Sequence, residues 1–497
     1  MNQIKKIKLI LICCLFLSGM IYAQTVTVPD SASGKLNWKL KVSGNGHYLV
    51  HEDEKPFFWL GDTGWEMLHR LSRKEIEYYL ENRRLKGFNV IQTVIISEFI
   101  HSDKATNYYN DSIFVNENPE KPLVTPGSSP QNGIEYDFWD HVDFAVKAAE
   151  MKGLYVALVP SWGEWVIPRT GKPLFNSMVQ AYNYGWFVGN RYKDAPNLIW
   201  ILGGDRHPDE RPEGVGLWRA MAEGIADGVN GIKKLDGKAD YSSTLMTHHS
   251  FNSSSEWFHY DEWIDFHIWG SYHAEINNSR NYELALKDWN LPDPKPTING
   301  EPCYEAHGIN YAVDDNGYFT STDVRLAAYW SVFSGSAGFT YGSQPVWQFT
   351  DSSRKKLSLK TLISWQEGLD LPGAGQIAHL KRLMEPLLTH EPVPDQSLIA
   401  AGEGTCGSRV CAMRNKSTVC IYIPTGSTIN VKMGILNAIS VTASWFDPRT
   451  GETTKIGEFE NTGEKVFDVP GMSKELQWLK TGRGCDWILI LNGHIPQ

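Results

Sequence analysis

Acidic side chains that follow glycine at the end of an apolar run are the residues of this sequence best placed to do chemistry. Two stand out: Asp205 in IWILGGDRHPD and Glu301 in PTINGEPCYE. Glycine permits a sharp turn there and lets a ligand approach the backbone closely. A facing pair of carboxylates suits cleavage of an acetal between sugars. One protonates the leaving oxygen, and the other attacks the anomeric carbon or activates water. A single strand-end carboxylate is as often a helix cap or an ion-pair partner, so the pairing is the signal.

Other side chains fall near the same run ends. Asp62 in WLGDTGW is placed to hold a sugar hydroxyl, or equally to brace its own loop. Trp65, Trp162, Trp165, Trp269 and Trp347 offer indole faces on which sugar rings can stack, although any one Trp more often packs. His207, His248 and His273 lie in the same regions, and His248 or His273 is placed to orient a carboxylate or a hydroxyl. Tyr304 follows Glu301 closely enough to hydrogen-bond it. Arg206 is placed either to lower the pKa of Asp205 or to meet a sugar carboxylate.

What must position these residues is a repeat of strands and helices. Eight apolar runs occur between about residues 55 and 390, at 56–62, 88–95, 153–162, 196–205, 243–249, 264–273, 295–301 and 336–347. Several are apolar without alternation, as strands buried on both faces should be. Amphipathic stretches lie between them. One spans 72–87, with Ser72 as N-cap, Glu75 completing a capping box and Gly87 as stop; another spans 136–153 and ends at Gly153. Eight strand–helix steps predict a (β/α)8 barrel over 51–395, with reacting groups at the C-terminal ends of the strands. Asp205 and Glu301 then end strands four and seven and face each other across the mouth. The stretch 101–135, rich in Asn, Pro, Gly and Ser, reads as a long loop on that face. After residue 395 only short strands with turn residues appear, predicting a β-sandwich over 396–497. Residues 24–50 also alternate and can add a strand to it.

The opening MNQIKKIKLILICCLFLSGMIYAQ reads as a signal peptide over 1–23. Lys5, Lys6 and Lys8 precede an apolar run, and Ala23 precedes a plausible cleavage point. The run is shorter than the ~20 residues of a membrane span. Ile12 before Cys13 does not fit a lipid-attachment signal. Export to the periplasm or the cell surface is the expectation. There the late cysteines Cys406, Cys411, Cys420 and Cys485 can form two disulfides in any of three pairings. A net charge of −10 argues against nucleic acid as a partner. Neither G-x-G-x-x-G after a first strand nor G-x-x-x-x-G-K-[ST] occurs, so no nucleotide cofactor is expected.

Three long stretches carry a family resemblance. FFWLGDTGWEMLHRLSRKEIEYYLENRRLKGFNVIQ, NLIWILGGDRHP and PTINGEPCYE resemble the apiosidase-type glycoside hydrolases of family 140. WFDPRTGE resembles a strand of the small sandwich, labelled collagen-binding, that follows those barrels. The resemblance implies a retaining enzyme, with Asp205 as acid/base and Glu301 as nucleophile. It implies a pectic substrate of the rhamnogalacturonan-II kind, in which apiose is linked to galacturonic acid. One departure concerns strand four, where the related clan commonly carries Asn-Glu and this chain has Gly-Asp; the shorter side chain has further to reach.

The residues also admit rival functions. A metal hydrolase can be drawn from His248, His249, His267 and Asp265, but neighbouring His residues on a strand point to opposite faces and no H-E-x-x-H occurs. No metal is expected. A non-catalytic glycan-binding barrel, an arabinofuranosidase and a galactosidase each fit the same pattern of strands and acidic residues.

Overall fold

The computed structural model describes residues 37–98, 106–312, 316–353, 361–425, 428–471 and 483–494. The leader expected at 1–23, with Cys13 and Cys14, lies outside the described residues.

Three short strands come first. β1 (Leu40–Val42), β2 (Leu49–His51) and β3 (Pro56–Phe57) form an antiparallel meander. It packs against the barrel and not, as its alternation had suggested, on the sandwich. Tyr155, at the start of a barrel strand, donates to Trp38 O at 2.8 Å and meets Phe57 edge-on. His47 stacks on Trp289 at 3.6 Å. The aromatic side chains of this segment thus find their apolar partners at the N-terminal end of the barrel.

The barrel strands follow: β4 (Trp59–Thr63), β5 (Val90–Ile96), β6 (Tyr155–Ser161), β7 (Leu198–Gly203), β8 (Met246–His249), β9 (His267–Gly270), β10 (Thr297–Glu301) and β11 (Gly338–Tyr341). They run parallel, and β11 pairs back onto β4. The ring is nearly closed. Between β8 and β9 the ladder gives way to individual bonds: Asp265 N–H to Met246 O at 3.0 Å, Met246 N–H to the Asp265 carboxylate at 2.7 Å, and the Thr247 hydroxyl to Phe266 O at 2.6 Å. β5 reads VIQTVII and every residue is buried, which suits β-branched side chains between two layers. A polar chain crosses the interior. Trp59 Nε1 donates to the Thr340 hydroxyl, which donates to Gln92 Oε1, and Gln92 Nε2 donates to Gly300 O. These bonds join four strands that are not all neighbours.

Local signals set the helices. Ser72 and Glu75 form the expected capping box at the helix Arg73–Leu85, and Asp137 and Asp140 form one at Phe138–Met151. Gly87 and Gly153, both with positive φ, end these segments.

The C-terminal part is all antiparallel. β12 (Val393–Pro394), β13 (Ile399–Ala401), β14 (Cys411–Arg414), β15 (Thr418–Thr425), β16 (Ile429–Lys432), β17 (Ser440–Phe446), β18 (Thr453–Glu460), β19 (Glu464–Phe467) and β20 (Arg483–His494) form one six-stranded and one three-stranded sheet. Between the sheets lies a separate core that includes Ile421, Val431, Val441 and Leu489. The two disulfides expected in this region are not formed: Cys406, Cys411 and Cys420 are free thiols. Strand register places Cys411 opposite Tyr422 and Cys420 opposite Met413. Among the described residues no helix is long and apolar enough to cross a membrane.

Candidate active site

The C-terminal end of β7 is a turn of two glycines and an aspartate. Gly203 and Gly204 have φ of +88° and +145°, and Asp205 itself has φ of +41°. The glycines are required by contact as well as by conformation. A Cβ on Gly204 would lie 2.4 Å from the Trp162 ring, and one on Gly203 would lie 2.4 Å from His249 O. Gly204 N–H donates to His249 O at 2.8 Å, pinning the turn to the neighbouring strand. This packing carries Asp205 forward to the mouth. Glu301 is the last residue of β10 and enters the same space from across the ring.

The acidic oxygens meet there. One donor atom each from Asp205, His249 and Glu301 all lie within 4.8 Å of one another. The short aspartate side chain therefore reaches its partner. Glu301 Oε1 accepts a 2.7 Å hydrogen bond from the Tyr304 hydroxyl, which in turn accepts from Trp65 Nε1 at 3.0 Å. His273 Nε2 lies 3.6 Å from Glu301 Oε1, and His249 Nε2 lies 3.0 Å from Oε2. The other His249 nitrogen is 4.0 Å from Asp205 Oδ1.

These surroundings push the two carboxyls apart. Burial and the charge of Glu301 push Asp205 up to about 7, against the opposing pull of His249 and Arg206. Burial also works to raise Glu301, but hydrogen bonding and charge from His249 and His273 outweigh it and bring the carboxyl down to about 2. One group is poised as an acid and the other as an anion, the division of labour that acetal cleavage requires. Burial disfavours the His249 cation, yet the adjoining carboxylates raise its pKa overall. The same three donors are close enough together for a divalent cation to be considered.

The remaining expected residues divide by the face on which they sit. Trp65 and Trp162 pack edge to face at 5.1 Å, and both border His249. Trp165 is fixed by its Nε1 bond to Ser97 O at 2.8 Å. Trp347 lies in the turn after β11, where its carbonyl accepts the Glu66 N–H at 3.1 Å. His207 packs its ring against Phe251 and Trp257. Arg206 is tied to the Glu164 carboxylate and donates to Asp205 O, so its charge is already matched within the protein.

Three expectations are corrected. Asp62 is fully buried on the helix side of β4, accepting from Arg83 Nε at 2.8 Å and from the Tyr79 hydroxyl at 2.5 Å. His248 packs against Trp218 and Phe258, behind the strand. Trp269 is fully buried with Leu284 and Ala285 and donates to the Thr297 hydroxyl. Successive side chains of a strand point to opposite faces, and these three have the outward phase.

Three neighbours of the pair were not anticipated. His249 is the last residue of β8, the position Glu301 holds in β10, and that parallel was the available signal. Tyr272 has φ of +56° and donates to Ser250 O at 2.9 Å. Glu98, just past β5, is pushed up to about 8 by burial and by the charges of Asp205 and Glu301. Tyr272 falls inside the run 264–273 and Glu98 lies three residues past the run 88–95, so neither is the last residue of a run.

A ring of parallel strands with two carboxylates this close at its C-terminal rim is the build of a barrel glycoside hydrolase. Comparison with known proteins defines the class further. The family described as "Apiosidase-like, catalytic domain" matches residues 43–390, and that described as "Putative collagen-binding domain of a collagenase" matches residues 393–492. A solved structure titled "Glycoside hydrolase" is 32% identical, with 92% of this chain and 97% of that one covered and a TM-score of 0.78. A glycoside hydrolase family 5 structure from Bacteroides vulgatus is 30% identical, with coverage of 92% and 94% and a TM-score of 0.78. None of the curated proteins matches. The chain belongs to the apiosidase-like glycoside hydrolases.

Proposed function

We propose that the protein is an exported apiosidase that acts on pectic side chains of the rhamnogalacturonan-II kind, with net retention at the anomeric carbon. The carrying observation is the spacing and opposed ionisation of Asp205 and Glu301. Retaining enzymes hold their carboxyl groups about 5–5.5 Å apart, whereas inverting ones leave room for a water at about 6.5–9.5 Å. One oxygen of each carboxyl lies within 4.8 Å of one of the other's, a nearest approach consistent with the first arrangement.

Asp205, protonated, gives its proton to the glycosidic oxygen as the Glu301 carboxylate attacks the anomeric carbon. The leaving alcohol departs and a glycosyl ester on Glu301 remains. Asp205, now ionised, takes a proton from water as the water oxygen attacks the anomeric carbon and displaces the Glu301 carboxylate. Tyr304 and His273 hold Glu301 in line, and Trp65 holds Tyr304. The apiosidase-like family match supports the sugar assignment, and the apolar N-terminal stretch supports export.

The test is incubation with pectic and hemicellulosic oligosaccharides, with products read by mass and the first-formed anomer by NMR. The expected result is release of a branched pentose from pectic material with retained configuration. Release of a different sugar alone would remove the apiosidase reading, and an inverted product would remove the nucleophile role of Glu301. Glu301→Gln is expected to lower kcat by ~10⁴-fold or more, the scale of losing a reacting group, with glycan affinity kept.

A further inference from the structure

A concavity of about 890 Å³ opens beside the turn that follows β6. Its lining includes Ile96, Phe114, Asn116, Glu117, Trp165 and Lys172.

The concavity shares a wall with the active site. Trp162 and Trp165 belong to one turn after β6. Trp162 packs on Gly204 and borders His249, while Trp165, three residues on, lines the groove. The Trp165 indole is held by its bond to Ser97 O, so its orientation is set before any ligand arrives. Ile96 is the last residue of β5, two positions before Glu98, whose carboxyl feels the charges of the dyad.

The outer wall is built at a conformational cost. Residues 106–123 fold back on themselves through the bridges Thr106 to Ser112 and Phe114 to Pro122. Within them Asn116 and Glu117 both take left-handed φ, of 52° and 56°. Asn adopts this region readily, whereas Glu117 is held there against its preference. No barrel strand pairs with this wall.

The lining has the chemistry of a site for polyols. Asn116, Glu117 and Lys172 present an amide, a carboxylate and an ammonium, over a floor in which Trp165, Phe114 and Ile96 are largely buried. Among the described residues the side chains of Asn116, Glu117 and Lys172 make no hydrogen bond or ion pair, so their polar ends are available to a ligand. Amides and charged groups of both signs pair with sugar hydroxyls. The volume is that of a pocket for a ligand of about two or three rings.

We propose that this groove holds a further stretch of the glycan, so that the enzyme reads a chain or branch extending away from the cleaved bond. The proposal rests on the glycosidase reading of the dyad but not on the identity of the sugar removed.

Two measurements test it. Binding of the Glu301→Gln protein to an array of plant oligosaccharides of increasing length is compared with that of the same protein also carrying Asn116→Ala and Lys172→Met. The expected result is affinity that rises with length in the first protein and about tenfold weaker binding of long glycans in the second, with short ones unchanged. In the catalytically intact protein the two groove substitutions are expected to raise KM about tenfold for long substrates and to leave kcat unchanged, the pattern of lost ground-state binding. Affinity that does not depend on length, or a loss equal at every length, overturns the proposal. If the wild-type protein cleaves nothing pectic but the array shows the length dependence, the apiosidase reading fails and the groove stands. Cleavage of apiose without length dependence gives the opposite result.

Discussion

His249 touches one carboxylate and faces the other, and both depend on it for their ionisation. Its partial positive charge helps hold Glu301 low and tempers the rise of Asp205. The proposed reaction uses Glu301 ionised and Asp205 protonated. The acid limb of the pH profile therefore follows Glu301, and the alkaline limb follows Asp205 at about 7. Removing His249 removes a stabiliser of both anions, so both carboxyl pKa values rise. The expected outcome for His249→Gln is a bell displaced to higher pH on both limbs, with kcat at the optimum lower by ~10–100-fold as the pair loses its alignment. A profile that falls in height without moving would assign His249 to packing alone. The same residue separates proton chemistry from metal chemistry. If its role is to share charge with the dyad, exhaustive chelation leaves wild-type activity unchanged; loss on chelation with recovery on adding a divalent cation would recast Asp205, His249 and Glu301 as ligands.

At the scale of elements, β4 is clamped to the helix behind it by Asp62. Its carboxylate meets Arg83 and Tyr79, and the side chains of the ion pair are fully buried. Arg83 also donates to Leu369 O at 3.0 Å, so the clamp reaches the segment after β11. Removing one partner of such a pair strands the other charge in the core, at a cost of about 3–5 kcal/mol. Asp62→Ala is thus expected to lower Tm by several degrees while leaving KM near wild type at temperatures where the protein stays folded. A raised KM at unchanged Tm would return Asp62 to the sugar site.

This clamp also marks how far the sequence was readable. Each strand of the ring showed itself as an apolar run, and Ser72 with Glu75 announced a helix start, because both signals are local. Asp205 and Glu301 were legible because each follows glycine at the end of a run. Strand phase was not legible. β8 reads MTHH and is buried throughout, so its burial pattern does not distinguish the inward His249 from the outward His248, and only the place of His249 at the strand end hints at it. Asp62 and Trp269 were misplaced for the same reason. The packing of the 40–57 meander depends on Tyr155 and Trp289, far along the chain, and no local pattern specifies that.

On the scale of the whole molecule, the sandwich is fastened to the barrel through a buried charge. Arg325, on the barrel helix Ser321–Phe333, makes a two-pronged bond to Asp486 of β20 at 2.9 and 2.8 Å. Its third nitrogen donates to Gln376, on the helix Pro372–Leu388. Tyr329 stacks on Tyr422 at 4.9 Å, and Trp330 Nε1 donates to Arg409 O. The barrel core runs on without a break into Cys411, Met413, Tyr422 and Ile488. A domain held this way acts as a brace for two barrel helices, whatever the label its family carries. Asp486→Ala leaves Arg325 buried and unmatched, at a cost of about 3–5 kcal/mol. If the brace is integral, calorimetry of the variant shows barrel and sandwich still unfolding in one transition, moved to lower temperature, with kcat/KM at 25 °C near wild type. The double variant Arg325→Met, Asp486→Leu removes both charges and is expected to recover most of the loss, since an apolar pair of similar volume replaces a buried ion pair at little cost. An early sandwich transition ahead of an unmoved barrel transition would instead make the C-terminal domain a passenger.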